Sequence, residues 1–236
     1  MQAANGRESA LGMHALQVHA LLLDHYGEPA RKPQRPPLDE LVLTILSQNT
    51  SDLNSGRAWE NLRARFGTWR DVAEADAAEV EEAIRVGGLA AVKAPRIQSI
   101  IRQLVQEQGE PTLDLLRDMS VEEAREYLTA LPGVGPKTAA CVLLFALHMP
   151  ALPVDTHVHR LALRLGLAPA KTSAEKAHSL LEELLPEELY YPFHLLLIQH
   201  GRTLCKAQRP LCHLCPLTHI CLYYAAQTAQ ADAPDA

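Results

Sequence analysis

The chain has 236 residues, with 22 Lys and Arg against 28 Asp and Glu, a formal net charge of -6. Its 47% apolar content excludes a disordered chain, and no run approaches the roughly 20 apolar residues of a membrane helix. The acidic total argues against nucleic-acid binding, but the distribution is uneven: 20 of the 28 acids precede Leu131. Between Leu189 and Ala231 there is no Asp or Glu, while Arg202, Lys206 and Arg209 fall in that window and give it a basic local character. The N-terminus, MQAANGRESALG, has neither the basic nor the apolar region of a signal peptide. A cytoplasmic, nucleoid-associated protein is expected, with reduced cysteines unless they bind metal.

Taken in order, nearly every segment reads as helix. Residues 1–9 are expected to be a flexible tail, followed by an N-terminal helix and the proline-rich connector RKPQRPP at 31–37. LDELVLTILSQ (38–48) places apolar residues at 41, 42, 43, 45 and 46, a helical stripe. NSGRAWENLRARF (54–66) sets Trp59, Leu62 and Phe66 on one face. Helical patterns continue at 80–85, 94–108 and in LDLLRDM (113–119). SVEEAREYLTAL opens with Ser120 and Glu123 at capping-box spacing. Further helices are expected at 156–166, 173–185 and 191–200, and 226–236 reads as a second flexible tail. No run alternates with period two, so the fold class is all-α.

Two stretches carry chemistry. In LPGVGPKTAACVLL (131–144) two helices meet at a Gly-Val-Gly turn. Gly133 and Gly135 can take positive φ and leave the backbone bare. The N–H groups of Gly133, Val134, Gly135 and the following helix start can form an anion nest suited to a phosphate diester. A plain connector with a glycine C-cap would need one glycine only. Lys137 stands at the positive end of the next helix dipole, a poor place for a cation on stability grounds. Cys141, further along that helix, reads as a small core residue.

The second stretch is CKAQRPLCHLCPLTHIC. Cys205, Cys212, Cys215 and Cys221 follow a C-x6-C-x2-C-x5-C spacing, and four thiolates within seventeen residues can converge on one centre. Sulfur ligation of this kind suits zinc or an iron–sulfur cluster. Zinc sites more often use two C-x2-C pairs or Cys/His mixtures. A single pair tilts the choice toward iron–sulfur, and His213 and His219 keep zinc open. The KAQRPL loop between the first two cysteines would present Lys206 and Arg209 in a set geometry suited to phosphates.

LPGVGPKTA, then PVDTHVHR, then HGRTLC and the cysteine run together resemble the endonuclease III family, the helix-hairpin-helix, iron–sulfur class of DNA base-excision glycosylases. The resemblance runs from about Leu38 to Leu222. It implies two helical domains flanking a DNA-binding cleft, one over 38–148 with the hairpin, the other from 10–37 plus 149–225 with a 4Fe–4S cluster on the four cysteines. It implies a catalytic lysine at Lys137, which attacks C1′ of a flipped nucleotide, and a catalytic aspartate at Asp155. A nucleophilic lysine must be neutral, which burial and a helix N-terminus favour. Asp155 also reads as the N-cap of the helix at Thr156.

An extruded base leaves a gap to be filled. The resemblance assigns this to Gln48 or Asn49, with Asn49 falling at the family's glutamine position, and to Leu89 as a wedge. Pro136 stands where many members carry arginine, and His159 where an apolar residue or aromatic is common. His157, Arg160, His200 and Arg202 are expected in structural or phosphate roles. The activity implied is that of a monomeric bifunctional glycosylase and abasic-site lyase. It would act on oxidised pyrimidines in double-stranded DNA, with a damaged base or abasic site as its partner and no membrane. The competing readings are a glycosylase for another altered base and a non-catalytic, iron–sulfur damage-sensing protein.

Overall fold

The computed structural model describes residues 9–31 and 33–231. They form α-helices joined by short loops and 3₁₀ turns, with no β-strand among the described residues. The chain divides into two compact units, one of residues 33–149 and one of 9–31 with 150–231. Residues 33–37 and Met149 therefore fold with the hairpin-bearing unit, a few residues beyond the expected 38–148.

An N-terminal helix, α1 (Ala10–Tyr26), belongs to the second unit; the 33–149 unit follows it in the chain. That unit holds α2 (Pro37–Ser47), α3 (Asp52–Arg65), α4 (Trp69–Glu74), α5 (Ala77–Ile84), α6 (Ala90–Gln108), α7 (Val121–Ala130) and α8 (Pro136–Ala146). Pro37 begins α2 and Pro136 begins α8, at first-turn positions where a missing N–H costs nothing. The capping box at the start of α7 forms as its spacing predicts: Ser120 Oγ accepts from the Glu123 N–H, and Glu123 accepts from the Ser120 N–H at 2.8 Å. LDLLRDM does not become an α-helix. The Asp114 N–H donates to the Thr112 hydroxyl, which donates in turn to the Asp114 carboxylate. That local competition leaves only a 3₁₀ turn at Asp114–Asp118. Helix α6 starts earlier than the expected 94 and runs through Pro95, forfeiting one backbone bond.

Helix α8 is the centre of this unit. Every residue from Thr138 to Leu144, and Ala146, is buried. Helix α2 packs along it with Leu41, Val42, Ile45 and Leu46, and α7 packs on it from the other end of the hairpin. Each such buried aliphatic side chain contributes about 1.5–3 kcal/mol. Cys141 is one of the buried residues of α8.

Lys93 of α6 is only 2% exposed. Its ammonium donates to the Leu46 carbonyl at 2.8 Å and to the Gly87 carbonyl at 3.0 Å. It thereby ties the end of α2 to the 3₁₀ turn Arg85–Gly87.

The second unit adds α9 (Thr156–Leu165), α10 (Ala174–Leu184), α11 (Tyr190–Thr203) and α12 (Leu222–Ala231) to α1. Helix α11 packs on α9 and α1, α10 packs on α1 and α9, and α12 packs on α9. Gly201 lets α11 come close to α9: a Cβ there would lie 2.8 Å from His157 Nδ1. Of the two expected tails, residues 1–8 and 232–236 lie outside the described residues. Ser9 caps α1 by accepting from the Gly12 N–H. Residues 226–231 are not a tail but complete α12, whose Tyr223 lies under the Arg164 guanidinium at 4.5 Å. No helix among the described residues is long and apolar enough to cross a membrane.

Burial pushes the Lys93 ammonium below the usual lysine range. Between its folded pKa and the unfolded value near 10.5 the unfolded chain binds more protons, so stability rises with pH there. Denaturant melts of the wild type and Lys93→Met at pH 8 and pH 10 are expected to show the wild type gaining on the variant as pH rises.

Candidate functional site

The hairpin forms between α7 and α8. Gly133 has φ +70, which an L side chain rarely adopts, and Arg96 of α6 lies where its Cβ would be. Gly135 departs from the expectation of positive φ. It is the extended N-cap of α8, with φ -96 and ψ 176, and open space surrounds its α-carbon. Val134 also plays a different part: its side chain is buried, and its N–H donates to the Leu131 carbonyl at 3.1 Å, so the turn itself consumes that donor. No side chain caps α8. The N–H groups of Gly135, Lys137 and Thr138 have no acceptor among the described residues and face the start of the helix. Lys137 is half-buried at the second position of α8.

Gln48 and Asn49 follow α2. The Gln48 amide is engaged at both ends, accepting from Arg96 Nη1 at 3.1 Å and donating to Thr138 Oγ1 at 3.3 Å. Asn49 is exposed, in the left-handed region at φ 54. Leu89 is likewise left-handed at φ 52 and is 54% exposed. Left-handed backbone at a non-glycine residue costs on the order of 1 kcal/mol or more.

Asp155 lies in the other unit. It is half-buried and caps α9, its Oδ1 accepting from the His157 N–H at 2.9 Å and the Val158 N–H at 2.8 Å. The segment before it is fixed by three side chains that the sequence did not single out. His178 Nδ1 donates to the Leu152 carbonyl and His194 Nδ1 to the Pro153 carbonyl, while Glu182 accepts from the Leu152 N–H. His159 donates to the Thr172 carbonyl at 2.8 Å and so braces the loop between α9 and α10. Arg160 bonds the Gly201 and Cys205 carbonyls and the His157 ring. Arg202 is exposed at the end of α11.

The cysteine loop hangs from the same helix. Arg164 donates to Cys205 Sγ at 3.2 Å and to the carbonyls of Lys206 and Ala207, so the loop carrying exposed Lys206 and Arg209 has a fixed root. Cys205, Cys212, Cys215 and Cys221 line one pocket, with Arg164, His200 and Tyr223 around it. Exposed His213 and His219 do not line it. Among the described residues no three His, Cys, Asp or Glu side chains gather closely enough for one metal ion. One zinc would need four ligands at about 2–2.3 Å from a single centre. The four thiols line one pocket, and an all-cysteine donor set of this kind is the one an iron–sulfur cluster takes.

Burial pushes the Cys215 thiol up to about 11 and raises Cys212 and Cys221 as well. Thiolates are stable there only beside compensating cations, which cluster iron provides. Donors already point at the sulfurs: Arg164 at Cys205, and the Leu217 N–H at Cys215 at 3.4 Å. His200 Nε2 is 3.4 Å from Cys215 Sγ, and its Nδ1 is 2.9 Å from the Tyr26 hydroxyl. Burial and the nearby His25 lower His200 to about 4, so the ring is neutral near pH 7. A ligating thiolate only accepts. With a cluster bound, Nε2–H would donate to sulfur and Nδ1 would accept from Tyr26.

Comparison with known proteins joins these two features. Residues 42–187 match the model of the HhH-GPD superfamily of base excision DNA repair proteins, and residues 205–221 match the iron–sulfur binding domain of endonuclease III. A relative from Arabidopsis thaliana that carries a DNA glycosylase name is 44% identical over 165 residues, 70% of this chain but only 56% of that protein. Endonuclease III of Thermotoga maritima is 38% identical over 196 residues, 83% of this chain and 87% of that one. A solved structure of a trapped endonuclease III–DNA covalent intermediate superposes with a TM-score of 0.76 at 29% identity, covering 91% of this chain and 98% of the other. The chain belongs to the HhH-GPD superfamily of base excision DNA repair proteins, and its four-cysteine loop is an iron–sulfur site for a 4Fe–4S cluster.

Protein purified without oxygen is expected to carry roughly four irons and four sulfides per chain. Cys215→Ala should lose most of both. Zinc in place of iron would overturn the cluster assignment.

Proposed function

We propose that the protein is a bifunctional DNA glycosylase and abasic-site lyase that removes oxidised pyrimidines. The observation that carries this reading is Lys137 on the second residue of an uncapped helix, directly behind a glycine-flanked turn with unpaired N–H groups. A phosphate diester held on those groups would bring a nucleotide to the lysine. In the reaction proposed, the neutral Lys137 amine attacks C1′, and the N-glycosidic bond breaks as the base leaves with a proton. The nitrogen then gives up a proton, the C1′–O4′ bond breaks with O4′ taking one, and the open-chain iminium so formed acidifies the C2′ hydrogen. Its removal expels the 3′ phosphate and nicks the strand, and water then releases the lysine. Asp155 would stabilise the cationic sugar that develops as the base departs. Its Oδ1 is held by two N–H groups, which fixes the carboxylate in place.

The partner in this reading is double-stranded DNA. Asn49 and Leu89 would fill the gap left by an extruded nucleotide. Support for this comes from their exposure and their strained backbone, while the amide of Gln48 is already committed. Lys206 and Arg209 would contact phosphates from the loop rooted by Arg164.

Borohydride is expected to trap a covalent adduct with a duplex that contains an abasic site, and Lys137→Ala should abolish the adduct. Undiminished trapping by that variant would remove Lys137 from the mechanism. In single-turnover assays on duplexes with one defined lesion each, base release should be fastest for oxidised pyrimidines. On those duplexes Asp155→Asn should slow release by roughly 10²-fold or more with little change in DNA affinity. Base release without strand cleavage would reduce the assignment to a glycosylase alone.

A further inference from the structure

Arg96 sits at the hairpin, and no role has been assigned to it above beyond holding Gln48. It projects from α6, half-buried, against the α-carbon of Gly133, so closely that any side chain at residue 133 would collide with its guanidinium. Only one of its nitrogens, Nη1, has an acceptor among the described residues, the Gln48 Oε1 at 3.1 Å. No carboxylate pairs with it among the described residues. The fold therefore fixes a cation with no carboxylate partner among the described residues beside the start of α8, where the helix dipole is already positive. Positive charge gathered in this way opposes folding. An anion seated on the turn would offset both.

We propose that Arg96 is a phosphate ligand of the hairpin, presenting its unused N–H groups to the same DNA phosphate that the N–H groups of Gly135, Lys137 and Thr138 receive. This rests on the reading of the hairpin as a DNA-binding element. Guanidinium is suited to the task because its planar fork can hold Gln48 with one arm and a phosphate oxygen with another. Residue 136 cannot share that work, since proline has neither charge nor N–H. The glycine at 133 has two reasons to be glycine: its positive φ, and the room it leaves for the guanidinium. A phosphate contact carries no base information, so Arg96 would strengthen binding to damaged and intact duplexes alike.

The test is equilibrium binding of the intact protein to a duplex with a tetrahydrofuran abasic analogue, and to the undamaged duplex, over about 50–300 mM salt. Wild type, Arg96→Gln, Arg96→Lys and Gln48→Ala are compared, with melting curves confirming that each is folded. Arg96→Gln should weaken binding to both duplexes by the same factor and reduce the slope of log K against log salt by about 1. Arg96→Lys keeps the charge and should keep the slope, and Gln48→Ala, which removes only the brace, should keep it too. A folded Arg96→Gln with the wild-type slope would overturn the inference, as would equal losses in Arg96→Gln and Gln48→Ala. Should Arg96→Gln not fold, a wild-type slope in Arg96→Lys still supports it, and a slope lowered by about 1 overturns it. Wild-type protein that binds neither duplex with salt dependence would instead overturn the reading of the hairpin, which separates the two failures.

Discussion

Helix α8 has almost no face turned to solvent, and that constraint sets the geometry of everything at its N-terminus. Buried from Thr138 to Leu144, it cannot rotate without dragging aliphatic side chains through the packed surfaces of α2 and α7. Its first turn therefore stays where the core puts it. Pro136 allows the helix to begin abruptly, Gly133 reverses the chain in the left-handed region, and Val134 plugs the turn from inside. The N–H groups left over are donors because the core, and not a capping side chain, terminates the helix. A Ser or Asp at residue 135 would satisfy one of them and occupy the place an anion could take.

The cysteine loop shows the opposite condition, a segment with very little core of its own. Leu217 is its one fully buried side chain among the described residues of 205–221. Short loops that bury so little are held by covalent or ionic staples. Here the cluster supplies one staple and two arginines of α9 supply the other, Arg160 on the Cys205 carbonyl and Arg164 on Cys205 Sγ and the next two carbonyls. Both arginines come from the helix that Asp155 caps. Within this unit the carboxylate and the cluster loop are thus fastened to the same ten-residue rod.

What the sequence disclosed, and what it hid, follows from distance along the chain. The four thiols lie within seventeen residues, so their spacing alone identifies a metal-binding loop. The capping box, the helical stripes and the glycine turn are local in the same sense. The helix of residues 222–231 was hidden by its bland Ala and Gln composition, and its anchor, Arg164 over the Tyr223 ring, is remote in sequence. Arg96 reaches Gln48 across 48 residues, Lys93 reaches Leu46 across 47, and His194 reaches Pro153 across 41. A helical pattern tells which face is buried but not what a polar side chain on the rim will meet. Gln48 and Asn49 make the point most sharply. They are neighbours of similar chemistry, and only the backbone geometry commits one amide to the protein and leaves the other exposed.

That same geometry explains how two strained residues can persist at the surface. Among the described residues, five that are not glycine have positive φ: Asn49, Leu89, His148, Lys171 and Arg209. Left-handed leucine is the least comfortable of these, lacking the side-chain hydrogen bonds that ease Asn into that region. Strain of this size survives only where the surroundings over-determine the backbone. The Lys93 ammonium does so for two of the five at once. It grips the carbonyl three residues before Asn49 and the carbonyl two residues before Leu89, from inside a site with 2% exposure. Carbonyls so close to the turn cannot drift apart without leaving a buried cation unpaired, at a cost of several kcal/mol. One buried charge therefore fixes the spacing between the two side chains proposed to enter the DNA, and the energy that holds the pair comes from the interior and not from the surface where they act.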